Sequence, residues 1–526
     1  MIFYLFIFLT LCGVVLLIWG LMVRLPDNSQ RDTSTVLGDG TSSAFGKAFA
    51  PLLAQNPDKS GLLMLEDGLD AFVARIALVR QAQISLDVQY YMFRHDLVGR
   101  LLIKELLDAA DRGVRVRLLI DDIYGEDGDY IWATMVTHPN ISVRLYNPFV
   151  RGYVKALQFI TDLMRINHRM HSKTFTADNQ ITILGGRNIG DEYFDATSEL
   201  AFADLDALVI GAVVPTVSKQ FDEYWNNRHS YPVTTLIAGV AGKELPVGAL
   251  AALQAELEAK SKSRDTEAYR NAVSTSPLAI ALREKTVAFS FSEADIIHDS
   301  AEKLTRIRKT WQDDLMFAKL APYIRQAKTD LTLISPYFVP GHKGADAICK
   351  LRANGVRVRI LTNSLSSNDV AAVHTGYIRH RKQLLRCGVE IYELNEKIKK
   401  DQGARFKWLR GLEKSSLHAK TLVIDKRVMY VGSFNFDQRS LNLNTEIGIV
   451  FEDAEIAGHA VELFDENISM AAFRVELVGD TNRNGKLRWT GVEDGETVVF
   501  YKEPYASLFR RVSTQLMRLL PIDSFL

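Results

Sequence analysis

Two stretches of the chain spell the same pattern, HSKTFTAD from His171 to Asp178 and HAKTLVID from His418 to Asp425, each reading HxKxxxxD. Two imidazoles in matched settings are the raw material for a two-step displacement at phosphorus, in which one attacks and the other protonates the departing oxygen. In an extended strand, residues two apart face the same side, so His171 projects with Lys173 and His418 with Lys420. Each lysine offers a point charge to phosphate oxygens. Asp178 and Asp425 complete the candidate catalytic motifs. By parity they fall on the opposite strand face from the lysines, a place better suited to holding the scaffold than to touching a substrate.

The match runs past the motifs. Gly185, Gly186, Arg187 and Asn188 follow His171 as Gly432, Ser433, Phe434 and Asn435 follow His418, and the histidine-to-asparagine separation is 17 residues in both. The amides of Asn188 and Asn435 can donate to the same phosphate oxygens, while the neighbouring glycines let backbone come close. A reactive imidazole also needs an acceptor on its second ring nitrogen. Asp204 in FADLD and Glu446 in NLNTEIG are the candidates, with Asp206 competing for the first role and Asp191, Glu192 and Glu199 close in sequence. Upstream, GVRVRLLIDD from Gly113 returns as GVRVRILTNS from Gly355, an offset of 242 beside 247 for the histidines. The chain is an internal duplication.

The elements that must carry these residues follow from periodicity. SLDVQYYMF, LVGRLLIKELLDAADRG and VRVRLLIDD read as strand, helix and strand, and LTLISPYFV, ADAICKLRANG and VRVRILTNS repeat the unit. The expected fold is α/β, with a first lobe over 61–235 and a second over 319–475. Between them, 236–318 reads as a helical connecting insertion around VGALAALQAELEAK. Residues 476–526 form a C-terminal extension, whose stretch from Ser507 to Leu520 predicts an amphipathic helix packed on the core, with a membrane surface as the other placement. Residues 24–60 read as a polar tether. Met1 to Val23 carries no charge and, at ~1.5 Å per residue, is long enough to cross a ~30 Å hydrocarbon layer. A transmembrane anchor is expected rather than a cleaved signal peptide, which would start with a basic residue. Arg24 and Arg31 after it place the body on the cytoplasmic side by the positive-inside tendency.

Composition excludes several classes. With 47% hydrophobic residues the chain is not disordered. Its 63 basic and 63 acidic side chains argue against a protein that coats nucleic acid. Cys12, Cys349 and Cys387 make neither a zinc ladder nor a disulfide framework and read as buried free thiols. His168, Tyr90, Tyr91 and Phe338 read as packing residues, and Arg379, Arg381 and Lys382 as a solvated face.

The duplicated HxKxxxxD, each followed by a GG or GS turn and an asparagine, resembles the phospholipase D superfamily over most of the chain from about Leu62. Within it, GGRNIGDEYF, GSFNFDQRSLNLNTE and the closing RRVSTQLMRLLPID are similar to bacterial cardiolipin synthases of the C type. The resemblance implies two α/β/α sandwich lobes packed about a pseudo-twofold axis and a phosphohistidine intermediate without metal or other cofactor. It further implies His171 as nucleophile, His418 as acid and then base, and Lys173, Lys420, Asn188 and Asn435 around the phosphoryl oxygens. Its substrates would be phospholipids at the bacterial inner membrane, with no nucleic acid expected and an accessory protein left open. A hydrolysing phospholipase D and a phosphodiesterase acting on nucleic acid are the competing functions.

Overall fold

Apolar runs punctuated by turn glycines build the same strand order twice. The computed structural model describes residues 23–195, 201–238, 240, 244–304, 315–368, 370–397, 415–479 and 485–518, with scattered positions before them. The first half contributes β1 (Ser60–Leu65), β2 (Ser85–Tyr90), β3 (Arg115–Asp121), β4 (Ile141–Tyr146), β5 (Thr174–Ala177), β6 (Ile181–Gly185), β7 (Ala201–Ala203), β8 (Asp206–Gly211) and β9 (Ser230–Pro232). The second contributes β10 (Ser290–His298), β11 (Asp330–Ile334), β12 (Arg357–Asn363), β13 (Glu390–Leu394), β14 (Ser415–Leu417), β15 (Thr421–Ile424), β16 (Val428–Gly432), β17 (Ile447–Glu452), β18 (Ala472–Val478), β19 (Lys486–Glu493) and β20 (Glu496–Phe500).

Pairing in the first sheet runs β9-β4-β3-β2-β5-β6-β8-β1. In the second it runs β18-β13-β12-β11-β15-β16-β17-β10, the same order strand for strand. In each, the three strands joined by crossover helices are parallel and the others antiparallel. β2 is buried along its whole length because helices cover both faces of its sheet. The sheets join edge to edge, β1 against β10, with Ser60 opposite Ser292 and Leu62 opposite Ser290.

Several expectations need correction. The segment expected to be a helical connecting insertion contains three helices, Ala249–Ser261, Glu267–Thr275 and Pro277–Glu284, and also β10, the counterpart of β1 in the duplication. The polar tether is bonded to the first lobe. Asn28 donates to the Ser230 carbonyl at 2.9 Å, Ser34 N to Asn226 Oδ1 at 3.0 Å and Val36 N to Asp222 Oδ2 at 2.8 Å, and Ser43 caps a helix over Ala44–Gln55. Its polar residues satisfy groups at the end of the helix Val214–Trp225. Cys349 and Cys387 are not free thiols but a disulfide, Cα–Cα 5.5 Å, because the helices Gly341–Ala353 and Ala371–Arg386 lie side by side. Arg381 is not solvated but buried, within 2.8 Å of Glu393 and 2.7 Å of Glu503. The C-terminal helix Leu508–Met517 does not pack its apolar stripe on the core; Leu508, Phe509, Val512 and Leu516 are exposed. Most of the N-terminal apolar run, Cys12 included, lies outside the described residues; among those described, no helix is long and apolar enough to cross a membrane.

Asp178 and Asp425 end β5 and β15 at φ 52° each, a left-handed conformation aspartate tolerates. Asp178 accepts from the amides of Gln83, Ile84 and Ser85, and Asp425 from those of Lys328, Thr329 and Asp330. Each ties the motif's strand to the start of the first parallel strand of its lobe. Losing such an acceptor strands several amides, so Asp178→Ala, at a buried site, should lower stability by about 2–3 kcal/mol. Asp425→Ala should cost less, since water reaches its half-buried turn. Shifts of the urea unfolding midpoint measure both.

Candidate active site

Each histidine lies just before its antiparallel strand, beside the C-terminal ends of the parallel strands, and is fixed by the opposite lobe. His171 N donates to the Thr445 carbonyl at 2.8 Å, and Thr445 N to the Arg169 carbonyl at 2.9 Å. Correspondingly, β14 runs parallel to β7, and His418 N donates to the Ala203 carbonyl at 2.8 Å. Each histidine is thus stitched beside the residue that precedes the other lobe's carboxylate. The consequence is a crossed pairing: His171 Nδ1 lies 2.8 Å from Glu446 Oε2, and His418 Nδ1 lies 2.6 Å from Asp204 Oδ2. With Nδ1 engaged, Nε2 is the nitrogen left for chemistry.

The two carboxylates are accommodated differently. A Cβ at Gly186 would stand 2.0 Å from Asp204 Oδ1, so only glycine leaves room there. In the other lobe this position is Ser433, whose hydroxyl donates to Glu446 Oε2 while Ser440 donates to Oε1 at 2.8 Å. The GG and GS turns therefore match a short and a long carboxylate. Asp206, the rival to Asp204, instead pairs with Arg75 at 2.8 Å. Asp191 accepts from Val98 N at 2.8 Å and Glu192 pairs with Arg94 at 3.1 Å, both away from the imidazoles; Glu199 lies outside the described residues.

Burial sets the resting protonation. It lowers His171 to about 4 against the pull of Glu446, with Lys173 adding to the fall, and lowers His418 to about 4, with Lys420 adding to it. Burial alone would raise both carboxylates, yet the imidazole partners and the lysines hold Asp204 down at about 2 and Glu446 below its usual range. Lys173 Nζ donates to the His171 carbonyl at 2.6 Å, and Lys420 Nζ to that of His418. Burial pulls Lys173 down to about 7. Lys420 acts on His171 and Lys173 on His418, so the charges of both motifs are felt at both rings.

Three further residues belong to the site. Tyr91, read as packing, stands against the His171 ring at 4.8 Å; Tyr193 and Phe202 flank His418 at 5.1 and 5.3 Å. Asn188 Nδ2 donates to the Tyr193 hydroxyl at 2.9 Å, and the side-chain oxygens of Asn188 and Asn435 are buried without partners. Sequence reasoning also passed over Asp121 and Asn363, which the 242-residue offset makes equivalent. Asp121 accepts from Met170 N at 2.8 Å and Asn363 Oδ1 from Leu417 N at 2.9 Å, each gripping the residue before a histidine. Among the described residues, no group of His, Cys, Asp and Glu could hold a metal ion.

A family model described as "Cardiolipin synthase, PLD-like domain" matches residues 76–225 and 320–468, one match per lobe. Cardiolipin synthase C of Escherichia coli K12 is 38% identical over 480 residues, which is 91% of this chain and 99% of that protein. A cardiolipin synthase of Oceanobacillus iheyensis is 24% identical, over 78% of this chain and 69% of its own. The crystal structure of phosphatidylserine synthase from Haemophilus influenzae Rd KW20 superposes with a TM-score of 0.53 at 14% identity, over 82% of this chain and 91% of that one, which shows a shared fold.

The matched turns predict a paired exchange. Gly186→Ser alone should displace Asp204 and lower turnover by roughly 10- to 100-fold, as losing a partner that orients an imidazole does. Adding Asp204→Glu, which copies the other lobe, should recover a measurable part of the rate in the same assay.

Proposed function

The chain belongs to the cardiolipin synthase, phospholipase D-like family, and from that membership and the crossed imidazole pairs we propose that it transfers a phosphatidyl group between phospholipids to form cardiolipin. In the first step, His171 Nε2 attacks the phosphorus of the donor lipid and the bond to the headgroup alcohol breaks, leaving a phosphohistidine. His418 gives its proton to the departing oxygen. In the second, His418 takes the proton of a phosphatidylglycerol hydroxyl, that oxygen bonds to phosphorus and the P–N bond breaks. Assigning attack to His171 follows the family likeness, since the two motifs are nearly symmetric. Glu446 and Asp204 fix the tautomers and stabilise the cationic rings as they form. A bound phosphodiester also carries the negative charge that favours a protonated His418 in a pocket whose burial otherwise keeps that ring neutral. Lys173, Lys420, Asn188 and Asn435 face the charge that builds on the phosphoryl oxygens. The observation that carries the reading is the exchange of carboxylates between lobes, which holds each imidazole by the opposite lobe and leaves its Nε2 free, with the lysine of each motif acting on the other motif's ring. The uncharged run to Val23 supports a single-pass anchor holding the enzyme at its substrate.

Lipid mass spectrometry of a cardiolipin-deficient bacterium expressing the wild type and His171→Ala tests the assignment. Cardiolipin should appear with the wild type alone. Its absence would reject synthesis, and a rise in phosphatidic acid instead would favour hydrolysis. The pH profile is a second test. Lys173 must be charged to hold phosphate and titrates at about 7, and His418, which must be protonated to act as the acid, titrates at about 4 in the free enzyme, so kcat/KM should decline as pH rises above 4 and more steeply above 7. His171 must be neutral to attack and titrates at about 4, so the rate should also fall as pH drops through 4. Lys173→Arg, charged throughout, should remove the added steepness above pH 7 and leave the shallower decline set by His418.

A further inference from the structure

Two amphipathic segments, one joined to each catalytic motif's approach, are turned inside out. On the helix Leu508–Met517, at ~100° per residue, Leu508, Phe509, Val512 and Leu516 fall within an arc of ~100°, and Thr514, the helix's buried residue, lies opposite its centre. Leu508 is 74% exposed, Phe509 82% and Leu516 61%. The polar side faces the protein, with Arg510 donating to the carbonyls of Ser366 and Asn368. In the first lobe, Val154, Ile160 and Met164 are 62, 63 and 74% exposed, whereas Gln158 is buried and bonded to both Val150 N and its carbonyl, and Lys155 reaches back to the Ile123 carbonyl.

Both segments border the catalytic residues. Ser367 O accepts from Ser416 Oγ at 2.9 Å, and Leu417, the next residue, precedes His418. The segment around Val154 runs into Asn167, which Arg439 of the other lobe holds at 2.7 Å, and on to His171. Apolar side chains are thus offered to the outside on one segment tied to the approach of each catalytic histidine. The first flank is continuous with the N-terminal apolar run, since the Trp19 ring stands 6.1 Å from that of Tyr153. Exposed apolar patches of this kind mark surfaces that are covered in use.

We propose that these two faces, Leu508–Leu516 and Val154–Met164, seat the catalytic mouth in the interfacial layer of a lipid bilayer. The choice of a bilayer over a protein partner rests on the phosphatidyl-transfer reading and on the contact with the N-terminal run. A donor lipid then passes from the membrane to the imidazoles without crossing water, and the mouth is sealed against the solvent that would otherwise complete the second step.

The test uses the full-length protein in phosphatidylglycerol–phosphatidylethanolamine vesicles. In Phe509→Trp and Ile160→Trp, the emission added over the wild type should fall by at least half when acyl-brominated phospholipid replaces the ordinary lipid. Added emission that ignores bromine, whether red-shifted as in water or blue-shifted as against a second protein, overturns the proposal. In a kinetic arm, Leu508→Asp with Phe509→Asp should lower turnover of vesicle-borne phosphatidylglycerol at least tenfold while leaving that of a short-chain, monomeric phosphatidylglycerol within twofold. Equal loss on both substrates, or none, likewise overturns it. Should the wild type turn over neither substrate, the transfer reading fails by itself and the quenching still decides the docking.

Discussion

The site depends on one exchange: each lobe keeps its imidazole and gives its carboxylate to the other. Glu446 lies 275 residues from His171, and Asp204 lies 214 from His418, yet both pairs are within 2.8 Å. A carboxylate supplied from within the same lobe would let each half be a complete catalyst with its ring aimed anywhere. Crossing the pairs makes ring orientation a property of the interface. The short pairing of β7 with β14 and the amide bonds through Thr445 and Ala203 therefore matter more to chemistry than their size suggests. The β1–β10 junction, far from the rings in sequence, holds the two sheets in one register so that these bonds can form.

Symmetry of backbone does not mean symmetry of charge. Asp121 and Asn363 do the same mechanical work on the residue before each histidine, but burial pushes Asp121 up to about 7 even with Arg169 at 3.2 Å, whereas Asn363 never titrates. The His171 side thus carries an extra ionisable group that the His418 side lacks. Together with the unequal carboxylates, this gives two nearly identical motifs distinct surroundings, which is what two roles in a displacement require.

The duplication, the α/β class and both motifs were legible because they rest on local spacing: strand parity, seventeen residues from histidine to asparagine, and turn glycines. Parity alone separated Asp178 and Asp425 from the lysines. What could not be read was any pairing between lobes. Nothing local tells Asp204 to seek His418, and Tyr91 looks like a strand-end packing residue until the His171 ring is set against it. The role of β10 was hidden for a related reason, as it repeats β1 in position but not in wording. Cys349 and Cys387 carried no spacing signal because their disulfide bridges two neighbouring helices rather than a compact knot.

Burial explains why the same architecture suits transfer rather than hydrolysis. Two lysines, two imidazoles and two carboxylates are held almost wholly out of water, an arrangement that costs desolvation energy unless a phosphate completes it. Burial therefore keeps the rings neutral and Lys173 near its titration point, and the charge of a phosphodiester favours the cationic forms that stabilise its own transition state. Water brings no such charge. A second lipid brings both its own phosphate and a hydroxyl, delivered from a bilayer that the outward-turned faces of both lobes are shaped to meet. Discrimination against water then follows from where the mouth opens as much as from what lines it.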